Sequence, residues 1–521
     1  MDKVPLLQSN ASGRSKTRSG SHSVVFVPKK PTAPATHDLA SSDSEETCQI
    51  LENDDPVARS LGVDVVDPQN FGRRHGRESG RKLPPRGVSP APALLSSSKL
   101  AYGRRTAGIS DAETLLHIVK GNIGTGIIGL PYAFMFAGFA VGFASMVLVC
   151  VVAVYCMLML VQASHRLCDL HNKQQLDYAT TAELSIAVRF TRAGLPKLFR
   201  RTVNAFLIIT QLGFTAIYFV FISKNMAQVL EAMRYDLDYH YLILIFIPVL
   251  IVGVWIRDLK QIAIFSGIGN VLQSISIVII LYYLCGHLHW SDTRLYPKKV
   301  SDMALFFGLA VFSVEGIGVV MPLENDMKKP RHFPAIVIGG MSFVSTLFLL
   351  VGSFGFICFR EDTLGSITLN LPGDSHDPNN LPYIYVKLFF TFAIMSSYLV
   401  QFYVAIQIIE PFIFKRLGDS ERKRALVSHA LRAGLVIGAA GLAAGVPNLG
   451  LFISLVGALG SSALAIIFPP IIHMAVFWND HPGVLWKIRN ILIAFIGILG
   501  MVTGTYATVV ELIETLADEH K

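Results

Sequence analysis

"HIVKGNIGTGIIGLP", residues 117–131, sets His117, Lys120 and three closely spaced glycines, Gly121, Gly124 and Gly126, inside a stretch otherwise apolar enough to sit in lipid. A helix crossing hydrocarbon has no use for either unless it is interrupted there. Unwound backbone at membrane depth leaves peptide groups unpaired, and these are tolerated only where protein or a water-filled cavity encloses them. The glycines therefore read as a break in the first membrane span, and the two cations as groups kept for a purpose.

The rest of the composition agrees with a membrane setting. The chain has 521 residues, 52% hydrophobic and 16% charged, with a mean hydropathy of +0.49, well above that of ordinary soluble domains. Roughly 20 apolar residues cross a core of roughly 30 Å. Such runs recur after residue 110, and eleven spans are expected at about 112–137, 139–164, 202–223, 240–256, 261–286, 303–322, 333–359, 383–410, 427–446, 448–476 and 488–510. None lies at the N-terminus, so no cleaved signal peptide is indicated. Residues 1–108 are rich in Ser, Pro, Arg and Lys without apolar periodicity, and read as a disordered cytosolic tail ahead of a transmembrane domain at 109–515. The tail's basic stretch reads as solvated. The formal charge of +8 needs no nucleic-acid partner. The six cysteines include no close pairs, which argues against a zinc site; Cys285 and Cys358 alone share a face, and a bond between them is a weak expectation.

Charge sets the orientation. With a cytosolic N-terminus, the loops 165–201, 257–260, 323–332, 411–432 and 477–489 hold 20 Lys and Arg against seven on the other side, the asymmetry that the positive-inside rule demands. All four tryptophans fall at expected span ends, as amphipathic rings do.

Few ionisable residues lie within the spans: His117, Lys120 and Glu315, with Lys387 and Glu410 nearer the ends. Lys387 is placed to snorkel to the outer interface and Glu410 to sit at the cytosolic rim. A charge at helix centre costs about 2.5–3.5 kcal/mol, so the inner three are functional candidates. Lys120 lies roughly 12 Å from the inner start of the first span and Glu315 roughly 18 Å from the outer start of the sixth. In a core of roughly 30 Å those depths coincide, so the two pair, face each other across a cavity, or play separate packing roles. "VEGIG" (314–318) breaks the sixth span as "GNIGTG" (121–126) breaks the first, and Pro322 and Pro131 follow. Five crossings separate the two, so the second half repeats the first upside down, and paired broken helices in inverted halves mark a midplane substrate site. Each half-helix start offers free N–H groups and a positive dipole end to a carboxylate. Glycine pairs such as Gly434 with Gly438, or Gly339 beside Phe343, read as close helix packing.

The motifs "LLHIVKGNIGTGIIGLPYA", "FFGLAVFSVEGIGVVMPLENDMKKPRHFP", "GSITLNLP", "LVQFYVAIQIIEPF", "ISLVGALGSSALAIIFPPII" and "GTYATVVELI" resemble, in family order and over about residues 110–515, the proton-coupled amino-acid transporter (PAT) family of the amino acid/auxin permease group. The resemblance implies an all-α polytopic protein with eleven helices, a LeuT-like pair of five-helix inverted repeats (112–286 and 303–476) plus an extra helix, and symport of protons with small neutral amino acids such as glycine, alanine or proline. It implies no cofactor beyond the coupling proton. The break residues carry over to Gly121, Asn122, Gly124, Thr125 and Gly126, and to Phe312, Ser313, Glu315, Gly316 and Gly318. His117 stands at the family's proton-responsive histidine, and histidine's ordinary pKa near 6.5 suits that role; the alternative is a neutral histidine bonded between helices. Coupling is expected to involve His117, Lys120 and Glu315.

Two departures bear on location. Gly373 and Asp374 follow "ITLNLP" where plasma-membrane relatives of the animal type carry a cysteine, and no Asn-x-Ser/Thr sequon lies in an external loop. A lysosomal or vacuolar membrane is therefore favoured over the plasma membrane. "DKVPLL" resembles an acidic dileucine signal, which would engage a sorting adaptor at Leu6 and Leu7. A tail of this length also admits an amino-acid sensor that signals through it. An enzyme is not expected: there is no metal-ligand cluster, phosphate loop or nucleophile motif.

Overall fold

The computed structural model describes residues 108–519, apart from 191, 193, 257–258, 292, 374–376, 416–419, 447 and 481–482. Residues 1–107 of the tail, with Leu6 and Leu7, and Asp374 lie outside them. The described chain is helical, and its one β feature among those residues is an isolated parallel bridge between Ile109 and Met327.

The first span is two helices, α1 (Asp111–Asn122) and α2 (Thr125–Ala137). Ser110 starts α1 through a capping box: its Oγ accepts from Glu113 N at 3.3 Å, while Ser110 N donates to Glu113 Oε2 at 2.6 Å, which satisfies two of the orphan first-turn donors. Gly138 then turns the chain with φ of +74°, a left-handed conformation that glycine adopts without penalty, and α3 (Phe139–His171) begins at once. There follow α4 (Tyr178–Arg189), α5 (Leu195–Ala232), α6 (Tyr239–Trp255), α7 (Leu259–Gly286), α8 (Asp302–Ser313), α9 (Ile317–Asp326), α10 (Phe333–Phe359), the single turn α11 (Ile367–Asn370), α12 (Leu381–Phe414), α13 (Glu421–Ala444), α14 (Leu449–Val456), α15 (Phe468–Phe477) and α16 (Val484–Glu519). Between α14 and α15 the backbone runs through two π-helical turns, Gly457–Ser461 and Ala463–Ile467.

Among the described residues, nine helical segments are long and apolar enough to cross a membrane, counting α8 with α9 and α14 with α15 as one each; α2 and α6 are shorter apolar helices. Burial sorts them. Of the thirteen residues of α2, eleven are buried, so the helix is surrounded by protein, as an all-round apolar helix requires. Phe134 on α2, Phe306 on α8 and Phe348 on α10 are wholly buried in one core cluster. The segment Leu449–Phe477 is likewise central, whereas Val484–Ala517 is buried over only 22% of its most apolar window and lies at the periphery.

Several sequence expectations are corrected. The loop expected at 165–201 contains α4, capped by Asp177, whose side chain accepts from Thr180 N at 3.2 Å; α5 begins at Leu195 and not at 202. These ends carry charges, which hide a helix from a hydropathy reading. Gly339, Gly434 and Gly438 have nothing within 4 Å of an added Cβ, so they are not helix-packing glycines. Cys285 and Cys358 are both free thiols, and Cys358 Sγ donates instead to the Leu284 carbonyl at 3.3 Å. Lys387 does not snorkel: it is 1% exposed, and its Nζ donates to the Leu371 carbonyl at 3.1 Å.

Buried charge also appears where loops were expected. Arg432 Nε donates to Glu410 Oε1 at 3.2 Å and its NH1 to the Val254 carbonyl at 2.7 Å, while Ser428 Oγ donates to the same carboxylate oxygen at 2.6 Å. This ties α12, α13 and the end of α6 together. Removing one partner of a buried pair strands the other, which costs about 3–5 kcal/mol. Arg432→Ala is therefore expected to lower the thermal midpoint of the detergent-purified protein clearly, and Arg432→Ala with Glu410→Ala to recover part of that loss; scanning fluorimetry on the three proteins checks it.

Candidate functional site

Local chemistry explains each break. In α1 the Asn122 Nδ2 turns back to the Ile118 carbonyl at 2.8 Å, the side-chain-to-backbone competition that loosens a helix. Gly121, Gly124 and Gly126 each lower helix preference by about 1 kcal/mol relative to alanine. Helix therefore stops at Asn122, Ile123 is extended at φ −87°, ψ 102°, and α2 restarts at Thr125. The second break is built the same way: α8 ends at Ser313, Val314–Gly316 are non-helical, and α9 restarts at Ile317. Both interruptions fall within the stretches that the sequence indicates.

The breaks touch. Ser313 Oγ lies 2.9 Å from the Leu309 carbonyl and 3.2 Å from the Gly126 carbonyl, and its one proton is shared between them. A Cβ added at Gly126 would lie 2.7 Å from Ser313 Cα, and one at Gly316 would lie 2.2 Å from Asn122 Oδ1. Close approach of backbone calls for glycine at 126; at 316 a side chain would have to displace the Asn122 amide. Gly124 differs, since its added Cβ would meet only Tyr218 OH at 4.0 Å.

Other spans close the site, and the sequence reading missed them. Gln273 on α7 donates through Nε2 to the exposed-peptide carbonyl of Ile123 at 3.1 Å. Ser461, in the first π-helical turn, donates to Glu315 Oε2 at 3.1 Å. π-helical turns of this kind gather at functional sites. Gln211 on α5 stands beside Gly318, with 3.8 Å from an added Cβ to its Nε2. Phe312 stacks edge-on against Phe214 of α5, centroids 4.9 Å apart. Asn122 Oδ1, Thr125 Oγ1 and Gln211 Oε1 are buried with no hydrogen-bond partner. Buried polar atoms are nearly always partnered in folded proteins, so three orphans around one point mark a place where a polar solute completes the bonding. The one sequence signal for these residues was a polar side chain in an apolar span, too common to single out Gln211 or Gln273.

The ionisable candidates are arranged otherwise. Asn122, Ile118 and Thr114 are the buried residues of α1. His117 is exposed and Lys120 half-buried, on the same side as Glu113 by helical spacing, and among the described residues neither makes a hydrogen bond or an ion pair. Lys120 and Glu315 are not joined; Glu315 is held by Ser461. The buried ionic contact at this end is one that the sequence assigned to loops: His165 Nε2 lies 2.8 Å from Glu324 Oε1, with side chains 9% and 3% exposed. It clamps α9 to α3. Beside it the backbone of Ile109 pairs with residues 326–328 (Ile109 N to Asp326 O, 2.8 Å; Lys328 N to Ile109 O, 3.0 Å), so the entry to the first broken span is stitched to the exit of the second.

With this geometry in view, the sequence profile of the family described as transmembrane amino acid transporter protein matches residues 107–510. The chain is 32% identical, over 78% of its length and 86% of the relative's, to the proton-coupled amino acid transporter-like protein pathetic of Drosophila melanogaster. It is 27% identical to the amino acid transporter ANT1 of Arabidopsis thaliana over 81% of this chain and 97% of that one. Among solved structures it is similar to a nucleobase-cation-symport-1 family transporter in a closed conformation, at 14% identity and a TM-score of 0.49 over 82% of this chain and 96% of the other, a likeness too loose to bear on mechanism.

The contact between the breaks makes a sharp contrast measurable. Gly126→Ala is expected to cut amino-acid uptake at least ~10-fold, equivalent to ~1.4 kcal/mol, because its methyl group meets the Ser313 backbone; Gly339→Ala, with nothing within 4 Å of its added Cβ, is expected to stay within about twofold. Uptake per folded molecule, normalised by size-exclusion recovery, checks both.

Proposed function

The chain belongs to the transmembrane amino acid transporter family, and from that premise we propose that it carries small neutral amino acids together with protons by alternating access. The observation that carries the reading is the contact of the two broken helices at Gly126–Ser313 and Gly316–Asn122. The substrate carboxylate lies on the bare peptide groups of residues 121–126, at the N-terminal end of α2 where the helix dipole is positive. Its ammonium faces the second break, where Phe312, Ser313, Glu315, Gly316 and Gly318 supply carbonyls and a carboxylate. The orphan oxygens of Asn122, Thr125 and Gln211 complete the ring of acceptors. Glycine at the points of closest approach, with Phe312 packed on Phe214, leaves space for glycine, alanine or proline and little more.

Eleven crossings in two inverted sets of five plus a last helix are part of the proposal, supported by the nine long and two short apolar helices and by the recurrence of the break. Proton coupling falls to His117, on the open side of α1 one turn before the break, with Lys120 beside it and Glu315 within the site. A proton couples to transport only if it interacts differently with the two access states, and the place of His117 one turn before the break supports that role. A cytosolic N-terminus, supported by the loop charges, and a lysosomal or vacuolar membrane in preference to the plasma membrane are part of the same proposal. The sensor reading rests on a tail outside the described residues, and no contact described here favours it.

The test is uptake of radiolabelled alanine, glycine and proline into proteoliposomes with and without an imposed inward proton gradient. Wild type should concentrate substrate only with the gradient. His117→Ala should lose concentrative uptake while retaining counterflow exchange, and Glu315→Gln should lower both. Equal accumulation with and without the gradient in wild type would refute symport.

A further inference from the structure

Away from the breaks, at the end of the bundle remote from Ile109, a cavity of about 480 Å³ opens between the end of α5, the stretch after α11 and the start of α12. Gln228, Glu231, Arg234, Leu371, Gly373 and Lys387 line it. Nothing in the transport reading uses these residues.

Lys387 is the anomaly. An ammonium offers three donors, yet this one, 1% exposed, has a single acceptor, the Leu371 carbonyl at 3.1 Å. Among the described residues no carboxylate lies within 4 Å of it. Glu231, which lines the same cavity, is the carboxylate whose charge reaches Lys387 from beyond contact distance; a desolvated charge whose counter-ion stands off is expensive, and side chains this long ordinarily escape to water. Gln228 is incomplete in the opposite sense: its Nε2 donates to the Leu369 carbonyl at 3.1 Å, and its Oε1 is buried with no hydrogen-bond partner. One wall thus carries spare donors and the other a spare acceptor. Arg234 adds a third feature, since its backbone is left-handed at φ +67°. It closes the end of α5, where Tyr235 N reaches back to the Leu230 carbonyl at 2.9 Å. Glycine is the usual residue there; this chain places an arginine at the rim of the cavity instead, at some cost in strain.

Cation and acceptor on facing walls of a small cavity match a solute that carries both charges. We propose that this cavity is a second amino-acid site, in which Lys387 holds the carboxylate of a free α-amino acid and Gln228 and Glu231 receive its ammonium. The solute supplies the close anion that Lys387 lacks, and the donor that Gln228 Oε1 lacks, among the described residues. The site lies at the end of the bundle opposite Ile109, so it samples solute on that side independently of the breaks.

Saturation binding of radiolabelled alanine to the full chain in nanodiscs tests this, with propionate and alaninamide as competitors that each retain one charge of the zwitterion. Wild type should bind two equivalents. Lys387→Met should keep one; Gly373→Val, whose side chain starts 3.4 Å from Lys387 Nζ and narrows the cavity without removing a charge, should do the same. Glu231→Gln should weaken alanine at this site several-fold and leave propionate competition unchanged. Gly126→Val, which disables the breaks, should keep the other equivalent. Two equivalents retained in both Lys387→Met and Gly373→Val, or one in wild type that only Gly126→Val removes, overturns the inference without touching the reading of the breaks.

Discussion

An open peptide group in hydrocarbon has no partner but protein, and the architecture around the two breaks follows from that constraint. Residues 123–124 and 314–316 leave the helical ladder at the same place in the bundle. Around them stand α5, α7, α10 and the π-helical segment before α15. Gln273 reaches the Ile123 carbonyl and Ser461 the Glu315 carboxylate. What stays unpaired is a short set of side-chain oxygens, which turns a structural cost into a binding surface.

Charge is distributed on the same principle. Two contacts between ionisable side chains of different helices among the described residues, His165 with Glu324 and Arg432 with Glu410, lie largely in the interior, where one partner alone is stranded and both together fix a geometry. The first holds α9, the second half of a broken span, against the long α3. With the Ile109–Met327 bridge beside it, the start of the first broken span and the end of the second belong to one hydrogen-bonded assembly. Lys387 obeys no such pairing, which is why it stands out.

Amino-acid transport by the family sets a demand that the geometry meets economically. A zwitterion needs a positive field for one end and acceptors for the other. In the proposed reading, helix ends, free carbonyls and the Glu315 carboxylate supply both, and glycine at Gly126 lets the backbones of the two breaks approach to the limit of contact.

The sequence by itself determined the membrane setting, the order of the apolar spans and both breaks, because those are written in local composition: hydropathy over roughly 20 residues, glycine runs, and Asn122 bonding its own helix. It located both interruptions, although the non-helical backbone, 123–124 and 314–316, is narrower than the stretches 121–126 and 314–318 that composition marks. Tertiary structure alone decided which residues meet: that Gly126 touches Ser313, that Gln211, Gln273 and Ser461 close the site, that His165 finds Glu324 across 159 residues, and that Lys120 and Glu315 stay apart despite equal depth. Depth is a one-dimensional quantity that counting residues supplies. Azimuth, the direction in which a side chain leaves its helix relative to every other helix, is set by packing among many spans at once, and no single segment encodes it.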